Sequence, residues 1–493
     1  MRQIHHCPSN HRAIHHLVPQ LRLAALVIAL ASGLFGCAST PSSQSGVPAL
    51  TLPTSIASGS SARQQLEQID YMQWWKSWQD PVLDQLLQEA SANNQDLILA
   101  AARIEEARAT MAGAHSNRFP VVDANGAATR TRSSENAGKL GSGANPISRN
   151  YQLGMSASYE IDFWGKYSQA DNAAKARLLA QQANRGVVQS SLMANVAQTY
   201  VTLRAQDAQV QLASATLTTR QDNLRLQQKR LAAGSIGQLD FHLAESETAA
   251  SEIAVAQAKQ ALSISEAALA QLLGRSPAQI MQPVIERGSE IGKLYQQLRL
   301  PGQLPSDLLA RRPDILAAEQ ALLAAQADVG QARASYFPSI RLSSGLGYES
   351  RVFQDLFNPA SLLWNLGASL SQPVFRAGAI GAVVSGAEAR RAQANAQYVQ
   401  SVQGAFREVH DALSNSNAGA QVVAAGQRRV AALQESLRLA QLRYNNGYSS
   451  YLEVLSAQRD LFAAQSAVIE NQRAHLAALV AVFKAVGGGW RAQ

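Results

Sequence analysis

Tyr151-Gln-Leu-Gly-Met-Ser-Ala-Ser-Tyr-Glu-Ile-Asp162, closed by Phe163-Trp164-Gly165, is the stretch on which the fold turns. Its odd positions, Tyr151, Leu153, Met155, Ala157, Tyr159 and Ile161, are apolar, whereas Gln152, Gly154, Ser156, Ser158, Glu160 and Asp162 are polar or small. A period of two puts these sets on opposite faces of a strand. Directly behind it, Gly165 to Leu231 is one unbroken run, rich in Ala, Gln and Arg, without a proline. At about 1.5 Å per residue such a helix is roughly 100 Å long. No compact domain holds a helix of that length, so the segment is expected in a coiled-coil rod whose Ala side chains permit close packing.

The same succession occurs twice. Asp96-Leu97-Ile98 and Phe119-Pro120 match Asp314-Ile315-Leu316 and Phe337-Pro338 at an offset of 218, and Gly165 to Leu231 matches the proline-free Gly378 to Tyr444 at 213. Arg230 and Gly234 with Leu239-Asp240 likewise match Arg443 and Gly447 with Leu452-Glu453. Alternation returns in Ile340, Leu342, Leu346 and Tyr348, and again in Leu362, Trp364, Leu366, Ala368 and Leu370 against Asn365, Gly367, Ser369 and Ser371. The chain is therefore read as an internal duplication. A first repeat covers 73–290 with strands near 119–131 and 150–162. A linker follows at 291–306, then a second repeat at 307–490 with strands near 337–350 and 361–373, and a tail at 491–493. Shorter helices, about 96–118 with 239–273 and 314–336 with 453–486, are expected to stack end to end beside the long ones.

Four amphipathic strands cannot close a membrane barrel alone, because single-chain barrels begin at eight strands and an open edge in lipid leaves backbone groups unpaired. The barrel must be shared between chains. Two copies enclose little but side chains, whereas three give twelve strands and a lumen. The fold class expected is a membrane α+β protein, a trimeric twelve-stranded barrel continued by a helical coiled-coil tunnel.

Positions 1–22 are basic and hold no acid, and Leu23 to Leu30 is an apolar run too short to span a bilayer. Residues 1–36 read as an export signal ending in Leu34-Phe35-Gly36-Cys37, the pattern of a bacterial lipobox, with Cys37 the lipidated residue. Residue 38 is Ala and not Asp, which suggests sorting to the outer membrane. Apart from Gln44, Val47, Leu50, Leu52 and Ile56, every position from Ala38 to Ala62 is Ala, Ser, Thr, Pro or Gly. Such a segment has too few apolar groups to bury a core, so 37–72 reads as anchor and tether.

Composition narrows the chemistry. There are 43 Lys and Arg against 35 Asp and Glu in 493 residues, and without the leader's Arg2, Arg12 and Arg22 the excess is 40 minus 35, or +5. That excess is scattered and carries no nucleic-acid signature. Cys7 and Cys37 allow neither a disulfide framework nor a four-thiolate metal site. Beyond the leader, His115, His242, His410 and His475 lie far apart, and only His242 with Glu245 shows a ligand-like spacing. The six methionines form no cluster that would mark soft-metal export. Hydrolase, metalloprotease, phosphate-loop and dinucleotide motifs are absent from the sequence, so no enzyme, cofactor or metal is expected. Asp80-Pro81 and Arg312-Pro313 read as helix starts. Trp74, Trp75 and Trp78 read as packing, Gly234 and Gly447 as the positive-φ residues of tight helix turns, and most helical charges as solvated.

Trp74-Trp75-Lys76-Ser77-Trp78-Gln79-Asp80-Pro81, Asp162-Phe163-Trp164-Gly165, the run Pro305 to Ile315 (PSDLLARRPDI) and Gly487-Gly488-Gly489-Trp490 together resemble the TolC-like outer membrane factors. The likeness is to their OprM-like lipoprotein branch, and it covers nearly all of Trp74 to Trp490. It implies a homotrimer in the outer membrane, a periplasmic tunnel, and a belt built from the N-terminus, the linker and the C-terminus. It also implies a periplasmic adaptor and an inner-membrane pump of RND type as partners. The function implied is the exit duct of a tripartite efflux system. A protein-secretion duct of the same fold and, more remotely, a periplasmic adaptor lipoprotein are the alternatives. In that family the closed periplasmic tip is held by Tyr or Arg contacts to carboxylates. Tyr444, Glu453 and Asp240 fall on matching positions with Arg230 and Arg443 beside them, while Ser449 stands where some relatives carry a basic residue. The plain alternative is that Asp240 and Glu453 only favour the N-terminal ends of the helices that follow.

Overall fold

The computed structural model describes residues 55–57, 71–137, 145–297, 303–305 and 312–488. The leader, Cys37, most of the tether and parts of the linker lie outside them.

Described elements begin with strand β1 (Ser55–Ala57) and a 3-10 segment, Tyr71–Trp78. Helices α1 (Pro81–Asn93) and α2 (Gln95–Ser116) lead into strands β2 (Val121–Arg132) and β3 (Ile147–Ile161). The long helix α3 (Lys166–Ala232) and its return α4 (Gln238–Leu272) follow, then α5 (Pro277–Met281), α6 (Ile291–Gln297) and strand β4 (Gln303–Pro305). The second half holds α7 (Pro313–Ala334), β5 (Ser339–Ser350), β6 (Leu362–Ser371), α8 (Ala379–Asn445) and α9 (Tyr451–Ala485). Helices α3 and α8 are each 67 residues, α4 and α9 each 35, and α2 and α7 each 22, so both halves run helix, two strands, long helix, return helix with helices of equal length.

Helix ends explain these equal lengths. At the close of α3 the Ser235 amide donates to the Arg230 carbonyl at 2.9 Å, and at the close of α8 the Tyr448 amide donates to Arg443 at 2.9 Å. Gly234 (φ 68°) and Gly447 (φ 74°) take the left-handed conformation this closure needs, as the sequence leads one to expect. At the opposite end, Asn94 Nδ2 donates to the last carbonyl of α4, Leu272, at 2.9 Å. Arg312 Nη1 donates to the last carbonyl of α9, Ala485, at 2.7 Å. Arg312 is buried and also grips Asp314 and Glu408, so the residue before Pro313 ties the helix it opens to α8 and α9.

The largest core joins three distant segments. Trp74 and Trp78 are fully buried with Leu294 of α6 and Phe483 of α9, and the Trp74 and Phe483 rings stack with centroids 5.2 Å apart. The stretch read as a linker thus contains a packed helix. Asp80, buried at the start of α1, accepts from the amides of Val82 and Ser289 and from Tyr200 Oη at 2.7 Å. Burial, then the Asp80 carboxylate, pushes the Tyr200 phenol far above the ordinary tyrosine range.

His475 of α9 is 8% exposed, meets the Tyr295 ring at 5.4 Å, and leaves its Nδ1 without a hydrogen-bond partner. Burial pulls its pKa below the usual value of about 6.5. The folded chain then binds fewer protons at this site than the unfolded one, so stability present above pH ~6.5 is lost as pH falls below it. The thermal midpoint is expected to drop between pH 7.5 and 5.5, and to drop less in His475→Gln. An identical pH slope in the two proteins removes His475 as the cause.

Candidate functional site

Strands β2, β3, β5 and β6 form one antiparallel sheet in that order, with β2 and β6 at its edges. Register fixes what each face carries. Ala124, Met155, Leu346 and Trp364 stand in one row across all four strands, and Val122, Ala157, Ser344 and Leu366 in the next. Tyr159, Leu342 and Ala368, then Ile161, Ile340 and Leu370, continue this face toward the helices. The three apolar sets read from the sequence therefore share one side of one sheet. Phe353 and Phe357 stand edge-on to Tyr151 and Tyr348 at its far end, and toward its middle the face is bare, with Trp364 and Leu366 74% and 78% exposed. Such a contiguous apolar surface marks a partner or a membrane.

The other face is small and polar. Its rows are Asp123, Ser156, Gly345 and Asn365, then Val121, Ser158, Ser343 and Gly367, with Glu160, Arg341 and Ser369 nearest the helices. Gly154 and Gly347 stand opposite each other on it, and a Cβ on Gly347 would lie 2.6 Å from the Leu153 carbonyl oxygen. The strands approach too closely there for a larger residue. None of the described helices is long and apolar enough to cross a membrane.

At the far end of the helices the two turns bring the expected residues near one another unevenly. Arg443 Nη1 and Glu453 Oε2 lie 3.8 Å apart, both side chains being about half exposed. The Arg230 guanidinium sits 5.5 Å from the centre of the Tyr444 ring, which is 5.4 Å from the Tyr451 ring. Tyr444 Oη donates weakly to Gln227 Oε1 at 3.5 Å, and not to Glu453. The Asp240 carboxylate makes no hydrogen bond or ion pair among the described residues, and the Ser449 hydroxyl is buried without a partner. His242 Nδ1 meets Glu245 Oε2 at 3.0 Å on the surface, and no group of three or more metal-ligating side chains occurs among the described residues.

Behind the turns lies a polar cluster that the sequence reading missed. Arg220 of α3 and Glu247 of α4 are 5% and 7% exposed. Their carboxylate–guanidinium approach is 3.6 Å, and Arg459 of α9 donates to Glu247 from Nε at 2.7 Å. Arg220 also donates to Gln458, Asn223 donates to the Tyr451 hydroxyl, and Gln227 Nε2 reaches Asn223 Oδ1 at 3.4 Å. Arg220 and Glu247 are not solvated, and through the half-exposed Arg459 the cluster bonds the first helical hairpin to the second. A signal existed in the spacing, since Arg220, Asn223, Leu224 and Gln227 follow the i, i+3, i+4, i+7 pattern of a buried stripe with three of its four places polar.

Comparison with known proteins places this architecture. A family model described as outer membrane efflux protein matches residues 86–275 and 304–488. The chain is 33% identical over 471 residues to the cation efflux system protein CusC of Escherichia coli O6:H1, covering 95% of this chain and 99% of that one. It is 35% identical over 419 residues to the solvent efflux pump outer membrane protein SrpC of Pseudomonas putida, covering 84% and 86%. The crystal structure of a membrane protein from Pseudomonas aeruginosa superposes with a TM-score of 0.81 at 32% identity, over 89% of this chain and 98% of that one.

Proposed function

Since the chain belongs to the outer membrane efflux protein family and is an outer membrane efflux duct, we propose that three copies close the twelve-stranded barrel and the tunnel through which its cargo leaves. The observation carrying this reading is the sheet itself. It has four strands, two unpaired edges and a continuous apolar face bare toward its middle, and in lipid only closure with further copies satisfies those edges. The Gly- and Ser-rich face lines the lumen, and the paired helices of α3 with α4 and α8 with α9 form the periplasmic wall. The two halves, with helices of matching length, are the products of a duplication. Cys37 anchors the mature chain to the inner leaflet, an adaptor protein grips the tunnel, and an inner-membrane pump of RND type loads it. Small toxic compounds pass through it passively. The relatives named for cations and for solvents match at nearly the same identity, which supports efflux over protein secretion and leaves cargo choice to the pump.

The tunnel is gated at its tip. Tyr444, Arg230, Arg443 and Glu453 make the contacts given above, Asp240 opens the helix after the first turn, and Gly234 and Gly447 let both turns stay tight. Removing contacts that hold the closed tip shifts the population toward open. Tyr444→Phe with Glu453→Gln is expected to raise single-channel conductance in planar bilayers by a modest factor, because half-exposed pairs contribute about 0–1 kcal/mol. Unchanged conductance in assembled oligomers would make these residues helix caps and put the gate elsewhere.

A further inference from the structure

The apolar face of the sheet ends in arginines. Arg130 of β2 pairs in register with Arg149 of β3, one row beyond Ala128 and Tyr151 on the same face as Leu153 and Met155. Both side chains are exposed, and neither takes part in an ion pair among the described residues. Arg132, two residues further on, reaches Glu135 at only 3.7 Å with both groups largely in solvent. The nearest strand carboxylate, Glu349, points to the lumenal face and is taken by Asn150 Nδ2 at 2.7 Å. Like charges directly across a ladder repel, so this pair costs stability unless an anion lies between them.

Depth says what that anion is. From the row of Ile161 to the row of Tyr151 is ten residues on β3, about 33 Å along the strand. Tilted by ~40°, that is roughly 25 Å of height, the apolar band of an outer-membrane barrel. The arginine row lies some 5 Å higher on the same scale, at headgroup level. Because the helices leave from the Ile161 end, the arginine end is the one turned away from the periplasm. Phe353, edge-on to Tyr151 at 5.5 Å, supplies an aromatic shelf at the same height.

We propose that Arg130 and Arg149 form a site on the barrel's outer rim for the phosphate groups of the outer-leaflet glycolipid. The site rests on the reading of the sheet as a barrel wall. A guanidinium pair matches phosphate geometry and is relieved of its mutual repulsion when a phosphate bridges it. The bound lipid ties β2, an edge strand of one copy, to the leaflet around it.

The test is native mass spectrometry of the full-length oligomer titrated with phosphorylated lipopolysaccharide, with its dephosphorylated form and with phosphatidylglycerol. Charge near a lipid surface is worth roughly fivefold in binding per arginine, so Arg130→Gln with Arg149→Gln is expected to bind the phosphorylated glycolipid roughly 30-fold more weakly. Wild type should bind the dephosphorylated form as weakly as the variant does. Equal binding by variant and wild type overturns the site, and so does phosphatidylglycerol binding wild type as tightly as the glycolipid. Heat-modifiable oligomers separate the two readings. A wild type that forms none overturns the barrel and the site with it, whereas intact oligomers with unchanged binding overturn the site alone.

Discussion

Trp364→Arg is expected to remove the oligomer from the outer membrane, while Asn365→Arg, one residue away, is expected to leave it assembled. Trp364 lies in the fourth of six cross-strand rows on the apolar face, counting from Ile161, near mid-depth of the band. Arginine on the lipid face at the midplane costs about 2–4 kcal/mol, and in the proposed trimer three copies multiply that to roughly 6–12 kcal/mol. A typical domain's whole stability is about 5–15 kcal/mol, so the sum decides the outcome. Asn365 points the other way, over Gly345, where the sheet meets water and a guanidinium keeps its hydration. Membrane fractions run unheated and heated on gels give the readout. Equal tolerance of the two substitutions would mean that the exposed face is covered by protein and not lipid.

That contrast was legible from the sequence because a strand with one wet and one dry side writes its orientation into alternate residues. Leu362, Trp364, Leu366 and Leu370 need no partner to be recognised. The long helices were legible for a different reason. From Gly165 to Arg275, and from Gly378 to Gly487, there is no proline, and the positive-φ glycines Gly234 and Gly447 stand where the helices turn back. The helix Ile291–Gln297 was not legible: its buried Leu294 and Ile291 give only one turn of pattern between prolines. Nor was the pairing of Arg130 with Arg149, since the chain shows which face a residue takes but not which residue stands across from it. The burial of Arg220 and Glu247 escaped for the same physical reason. It is created by contact with Gln458 and Arg459, which belong to the other half of the chain, and a local window reads such charges as solvated.

Glu247→Ala is expected to open the tunnel far more than any substitution in the turns themselves. Glu247 is the carboxylate between two guanidiniums, one of them, Arg220, almost fully buried, at the point where α3 and α4 meet α9. Arg220 stands roughly 20 Å along the helix from the Gly234 turn, so freedom gained here is carried to the tip as a change of angle. Breaking a buried pair by removing one partner costs about 3–5 kcal/mol, because the other charge stays behind uncompensated. By contrast the exposed Arg443–Glu453 pair is worth at most about 1 kcal/mol. If the cost falls on the closed arrangement, the closed-to-open ratio shifts by roughly a few hundred- to a few thousand-fold. Single-channel recordings should then show a larger, more frequently open channel, and cells should admit large antibiotics. Glu247→Leu combined with Arg220→Met tests the cause, since replacing both charges with apolar groups of similar volume is often neutral and should restore closure. An unchanged conductance for Glu247→Ala in stable oligomers would show that the hairpins hold their angle without this cluster, and would return the gate to the turns.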